Sequence, residues 1–133
     1  TGHGVGYFLN VHEGPQSIAV AAVPQPHHAM KSGMLTSNEP GLYRPGKWGI
    51  RIESLVINRP VENPEETEFG KFLYFETVTL CPIDTRLIDT KLMTGSEIEW
   101  LNQYHAEVRR RLEPLTEGAA KAWLIERTEP LAR

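Results

Sequence analysis

Toward its first two thirds the chain carries apolar residues in short or alternating runs, and only afterwards does the spacing turn helical. Residues 1–16 (TGHGVGYFLNVHEGPQ) are glycine-rich with an apolar patch at Tyr7, Phe8 and Leu9. They read as a loop leading into a short extended segment. Residues 17–23 are small, apolar and partly β-branched, which predicts a short strand. PQPHHAM (24–30) is loop-like, with two prolines and two histidines. A strand is expected at 34–38, then a turn at 39–41, a brief extension at Leu42 and Tyr43, and a second turn at 44–49. IRIESLVI (50–57) alternates strongly. As one strand it puts Arg51, Glu53, Leu55 and Ile57 on one face and Ile50 and Ile52 on the other. NRPVENPEETEFG (58–70) is an acidic surface loop. KFLYFETVTL (71–80) is the second strong strand, and CPID ends it.

The period then changes. Thr94-Gly95-Ser96-Glu97 matches a capping box, and the helix it starts should reach about Leu112. Ile98, Leu101, His105, Val108 and Leu112 share one face at helical spacing. Pro114 stops the helix. Thr116 is expected to cap a shorter helix through Ala119, Trp123 and Leu124 to about Glu126. Strands first and helices last predict an α+β class with an antiparallel sheet.

Composition narrows the function classes. Net charge is −3 over 133 residues, and the only basic cluster is Arg109, Arg110 and Arg111. That cluster falls in the last turns of a helix, where cations suit the dipole. No nucleic-acid partner is expected. The single cysteine, Cys81, excludes an internal disulfide and a cysteine-based zinc site, and fits a reducing cytoplasmic setting. No apolar run has the length of about 20 residues that spans a bilayer, so no membrane partner is expected. The first residues do not resemble a signal peptide. There is no initiator Met, which leads to the expectation of a processed or truncated start.

The opening glycines do not make a phosphate cradle. Gly2, Gly4 and Gly6 are spaced by two, no strand precedes them and no helical pattern follows, so the dinucleotide fingerprint fails. A Walker loop needs Gly-Lys-Ser/Thr, which is absent. A metal site is the other reading. His3 lies between glycines, and imidazole nitrogen with carboxylate oxygen suits manganese, zinc, cobalt or iron. The carboxylates on offer are Glu39, before a Pro-Gly turn, and Glu53, which its β-branched neighbours would half-bury. A buried carboxylate needs a cation or hydrogen bonds to stay charged. Each residue alone also has an ordinary structural reading: a loop histidine, a turn glutamate, a glutamate paired with Arg51. His27 and His28 read as surface loop, His105 as a core histidine, Glu76 as a strand residue with a local partner. Trp48, Trp100 and Trp123 read as packing, with Trp48 also a candidate for a substrate pocket.

GHGVGYFLNVHEGPQ, TSNEPGLYRPGKWGIRIES and FLYFETVTLCPID together resemble the C-terminal part of an Xaa-Pro aminopeptidase of the pita-bread metallopeptidases. The resemblance continues through LMTGSEIEWLNQYHAEVRRRLEPL and WLIERTEPL, similar to the tail of the long, three-domain form. The spacings from His3 to His12 and from Glu39 to Glu53 fit this branch better than methionine aminopeptidases or short prolidases.

The resemblance implies a fold, a ligand set and an activity. The fold would be the C-terminal half of a pita-bread domain, a curved antiparallel sheet with helices on its outer side. The whole of 1–133 would belong to that domain, with 91–133 as a helical C-terminal extension. His3 would ligate one metal. Glu39 would be a ligand and also take a proton from the attacking water. Glu53 would bridge two metals. His12 would contact substrate and steady the tetrahedral intermediate. Tyr43 and Arg51 would orient an aspartate ligand from behind. The metal would be manganese, two ions per intact site. The substrates would be peptides with proline at position two, and the intact enzyme a homodimer. The family also takes two aspartates and a further histidine from upstream of this stretch, and those are absent from the 133 residues. The chain alone is therefore expected to be inactive, to hold manganese weakly, and to associate through exposed surface. Two rival readings are a prolidase-like or other pita-bread hydrolase and a pita-bread binding module without catalysis.

Overall fold

Glycines at alternate positions remove every side chain from one face of an extended segment, and neighbouring backbone moves into the space. The computed structural model describes residues 1–8, 11–21, 23, 25–62 and 68–132. In it β1 (Gly2–His3) pairs antiparallel with β2 (Ser17–Ile18), Gly2 opposite Ile18 and His3 opposite Ser17. On its other side Gly4 bridges to Thr36, and the Val5 N–H donates to the Leu35 carbonyl at 3.0 Å. A β-carbon on Gly2 would sit 1.9 Å from the Ser37 carbonyl oxygen, and one on Gly4 2.1 Å from the Glu13 carbonyl oxygen. The stretch expected as a loop is thus partly strand. A period of two in glycines is a strand signature with the side chains deleted. Of the expected strand 17–23, Ser17–Ile18 is the part that forms among the described residues. Leu9, Ala22, Pro24 and residues 63–67 of the acidic loop lie outside the described residues.

The chain divides into two compact units, Thr1–Thr79 and Leu80–Arg133. In the first, β3 (Leu35–Asn38), β6 (Ser54–Pro60) and β7 (Leu73–Thr77) form an antiparallel sheet in the order β3-β6-β7. Its buried residues include Val56 and the polar Gln16, Thr36, Ser37 and Asn58. Each polar group needs a partner there. Asn58 meets this in part: its Nδ2 donates to the Lys31 carbonyl at 3.1 Å and its backbone exchanges bonds with Met34 and Gly33, while its Oδ1 is buried without a hydrogen-bond partner among the described residues. Gly33, at φ 85°, supplies the left-handed residue of that turn.

β4 (Gly41–Arg44) and β5 (Trp48–Arg51) form a separate hairpin. Its turn is a Pro45–Gly46 type, with Gly46 at φ 71° and the Lys47 N–H donating to the Arg44 carbonyl at 3.0 Å. The single strand expected at 50–57 is therefore two. Residues 48–51 pair with β4, whereas residues 54–57 pair with β3, and the chain changes sheet at Ile52 and Glu53. Glu53, expected to be half-buried, sits at this break with its side chain 45% exposed. Arg51 and Leu55 do not share a strand face.

In the second unit α1 (Gly95–Leu112) starts at the expected capping box. Thr94 Oγ1 accepts from the Glu97 N–H, and Glu97 accepts from the Thr94 N–H. Ile98, Leu101, His105 and Val108 are buried along one face, and Leu112 is half-buried. Pro114 sits in a 3-10 turn, Glu113–Leu115, and α2 spans Gly118–Arg127. Thr116 does not cap α2. Its hydroxyl donates back to the Leu112 carbonyl at 3.1 Å, and Glu117 takes the cap position without a side-chain bond.

The arginine cluster does more than suit a helix dipole. Arg110 and Arg111 both pair with Glu107, while Arg109 donates to Thr128 Oγ1, the Ile125 carbonyl and Glu129. It fastens the end of α2 to α1. His105 is fully buried, as expected for a core histidine, and its Nε2 accepts from the Ile83 N–H at 3.0 Å. The three tryptophans, expected to pack, each remain about half exposed. Among the described residues no helix is long and apolar enough to cross a membrane.

Candidate metal centre

β1 and β3 together position His3 and Glu39. The strands lie side by side, and the Glu39 N–H donates to the Thr1 carbonyl at 2.8 Å, which extends the pairing to the end of β3. His3 Nε2 then faces Glu39 Oε1 at 3.1 Å. On the far side of the ring, Nδ1 lies 2.9 Å from the Gly4 carbonyl oxygen. A carbonyl only accepts, so Nδ1 carries a hydrogen, and Nε2 is the nitrogen left to face the carboxylate. Two electron-rich atoms at that distance require a cation between them, either a proton on Nε2 or a metal ion.

The donor set fits a divalent ion in kind and in spacing. Imidazole nitrogen and carboxylate oxygen with bonds of about 2.1 Å at a right angle stand about 3 Å apart. A metal-bound histidine also characteristically donates its other N–H to a carbonyl or carboxylate. Yet among the described residues no group of three or more His, Cys, Asp or Glu side chains is placed to hold a metal. The donors are right and too few.

The Ser37 hydroxyl donates to Glu39 Oε1 at 2.8 Å. That bond, with the opposing cost of partial burial and the charges of His3, Arg51 and the N-terminus, holds the Glu39 carboxyl below its usual value. The carboxyl is therefore ionised at neutral pH, and its side chain, 15% exposed, is mostly shielded.

Arg51 stands between the two candidate carboxylates. Its Nε is 3.9 Å from Glu39 Oε2 and 3.7 Å from Glu53 Oε2. The hairpin register explains how it gets there. Gly41, Tyr43, Gly49 and Arg51 point to one face, because Gly41 pairs with Arg51 and Tyr43 with Gly49. The Tyr43 ring lies over both glycines: a β-carbon at Gly49 would be 2.5 Å from it, and one at Gly41 2.6 Å from its hydroxyl oxygen. So seated, the Tyr43 hydroxyl accepts from Arg51 Nη1 at 3.4 Å. Trp48 is on the opposite face with Arg44, whose guanidinium lies 5.5 Å from its ring centre.

His12 reaches the same place from the loop after β1. The Glu13 N–H donates to the Gly4 carbonyl at 2.9 Å, and the His12 ring stands 4.3 Å from that of His3, nearly edge-on. The structure thus brings His3, His12 and Glu39 together, and gathers Tyr43 and Glu53 around Arg51 beside Glu39. Two residues of the site were not singled out in the sequence. Ser37 is one; its signal is a hydroxyl two positions before a strand-end glutamate, hence on the same face. Glu13 is the other. Its Oε2 is buried without a hydrogen-bond partner among the described residues, in the space that a side chain at Gly6 would fill.

Comparison with known proteins gives a consistent set of relatives. The model of metallopeptidase family M24 matches residues 1–59, and that of the C-terminal region of peptidase_M24 matches residues 71–131. A probable Xaa-Pro aminopeptidase P of Coprinopsis cinerea is 49% identical over 98% of the chain and 21% of its own length. Aminopeptidase P2 of Arabidopsis thaliana is 46% identical over 100% of the chain and 19% of its own length. The crystal structure of X-prolyl aminopeptidase from Caenorhabditis elegans, described as a cytosolic enzyme with a di-nuclear active site, superposes with a TM-score of 0.81. It is 37% identical, over 98% of this chain and 21% of that one. The chain spans about a fifth of the length of the curated relatives it matches.

Proposed function

Because the chain belongs to metallopeptidase family M24 and is similar along almost its whole length to Xaa-Pro aminopeptidases, we propose that the intact protein is a metal-dependent aminopeptidase that hydrolyses the N-terminal Xaa-Pro bond of peptides. The observation that carries this reading is the His3–Glu39 pair, with the imidazole Nδ1–H tied to Gly4 and Nε2 turned to the carboxylate. His3, Glu39 and Glu53 would be this chain's ligands to the metal ions. Manganese bound there would supply a nucleophile at neutral pH and polarise the scissile carbonyl. Glu39, ionised and shielded, accepts the proton of the attacking water. His12, beside His3, contacts the substrate and steadies the tetrahedral intermediate. Arg51, braced by Tyr43, orients an aspartate ligand that comes from outside these 133 residues, and Trp48 lines the substrate pocket.

The chain is read as the C-terminal half of a pita-bread domain, a curved sheet with outer helices and an extension over 91–133. Support comes from the first unit, where Leu42, Tyr43, Trp48, Ile50, Ile52 and Phe75 are exposed while four of its buried residues are polar. Such a unit gains its apolar burial from further chain. The isolated 133 residues are accordingly inactive. The intact protein is read as a cytoplasmic homodimer; the cytosolic relative supports the compartment.

The test is an assay of the intact protein on Ala-Pro-Ala and Ala-Ala-Ala with manganese and after chelation. The reading expects release of the first residue from the proline peptide only, lost on chelation and restored by manganese. Cleavage indifferent to proline would favour another hydrolase of the family, and no cleavage with intact folding would favour a binding module.

A further inference from the structure

We propose that Ser37 is a positioning residue of the metal centre, whose single hydroxyl fixes His3 and Glu39 as a pair. This rests on the reading of those two residues as metal ligands. Ser37 lies in β3 and is fully buried, at 0% exposure. Its Oγ accepts from the His3 backbone N–H at 2.9 Å and donates to Glu39 Oε1 at 2.8 Å. A hydroxyl has one proton to give. The His3 N–H fills the accepting side, and the carboxylate takes the proton. The His3 carbonyl, at 3.4 Å, is the longer and weaker alternative.

One oxygen atom is therefore the common partner of both ligands. It grips His3 by the backbone, which sets where the ring begins, and Glu39 by the oxygen that faces Nε2. The last torsion of a glutamate is broad and poorly held by its own rotamer preference. The Ser37 bond selects the orientation in which Oε1 meets the imidazole at 3.1 Å. Without it Glu39 keeps only the His3 ring and the more distant Arg51 to orient it, and the His3 N–H loses its partner. Groups that orient metal ligands in this way change metal affinity or activity by about 10–100-fold when removed.

The experiment uses the intact protein in three forms: unchanged, Ser37→Ala and Ser37→Thr. Manganese affinity is measured by electron paramagnetic resonance with chelator competition, metal-free unfolding by circular dichroism, and kcat and KM on Ala-Pro-Ala. The expected result is an affinity about 10–100-fold weaker in Ser37→Ala, with the loss of activity in kcat rather than KM, and recovery of most of it in Ser37→Thr. If Ser37→Ala does not fold, Ser37→Cys replaces it, since a thiol fills similar space and donates weakly. Unchanged affinity in the variant overturns the proposal. So does a Ser37→Thr protein as weak as Ser37→Ala, because packing rather than the hydroxyl would then be responsible. An unchanged protein that takes up no manganese overturns the functional reading itself, and this inference with it.

Discussion

His3 Nε2 and Glu39 Oε1 face one another at 3.1 Å, although β1 and β3 bring them together from opposite ends of the first unit's N-terminal half. In the proposed function Glu39 is both ligand and base. Replacing it with Gln keeps the shape and removes the charge. Glu39→Gln in the intact protein is expected to lower kcat by about 10²–10⁴-fold. Steady-state kinetics on a proline-second peptide, with bound manganese counted by elemental analysis, checks this. Near-normal kcat would remove Glu39 from the chemistry.

Gly6 has no room for a side chain. A β-carbon there would lie 1.3 Å from Glu13 Oε2. Gly6→Ala is expected to cost about 1–3 kcal/mol, as overpacking does. The same substitution in a Glu13→Gly background is expected to cost much less, because all three close contacts belong to the Glu13 side chain. Urea unfolding of the four proteins in the cycle measures the difference, and an unchanged cost would show that the backbone sets it.

Thr94 and Thr116 looked alike as helix caps, and the structure separates them. Thr94 accepts from the Glu97 N–H within a complete capping box, whereas Thr116 bonds backward to Leu112. Thr94→Ala is expected to cost about 1 kcal/mol. Thr116→Ala is expected to stay within about 0.5 kcal/mol. Thermal unfolding of the two variants decides, and equal losses would contradict the cap assignment.

The contrast shows what the sequence makes legible. α1 could be read almost to the residue, because its cap, its apolar face and its stop are all local. The split at Ile52 and Glu53 could not. Alternation continues across it, and only pairing with two different partners, β4 and β3, breaks the strand. The glycine stretch was misread for a related reason: strand patterns are sought in side chains, and here the pattern lies in their absence. His3, His12, Glu39 and Glu53 were nameable only through a family resemblance, since single residues at these spacings carry little chemistry by themselves. Ser37 escaped because its partners, His3 and Glu39, matter to it only once the strands are side by side.

His105 gives the second unit a pH dependence. Burial first, and the Arg109 charge second, push its imidazole below the ordinary value of 6.5. The folded state therefore binds fewer protons than the unfolded state below pH 6.5. Stability falls as pH drops through that value and levels off only below the folded one. Urea unfolding between about pH 7.5 and 5.5 should show this decline, and His105→Gln should flatten it. An identical slope in the variant would assign the pH dependence elsewhere.

The stripe formed by Gly2, Gly4 and Gly6 also constrains how the protein can vary over generations. Any codon change that alters a glycine adds at least a β-carbon, and at these positions such an atom would fall between 1.3 and 2.1 Å from a neighbour. The ordinary route of drift, a small residue exchanged for one slightly larger, is closed at Gly2 and Gly4, which meet backbone, and at Gly6 it depends on the Glu13 side chain. Substitutions can accumulate at Val5, which keeps a side chain, while the glycines on either side of His3 stay as they are. The histidine is held less by what surrounds it than by residues that inheritance cannot enlarge without parting the strands.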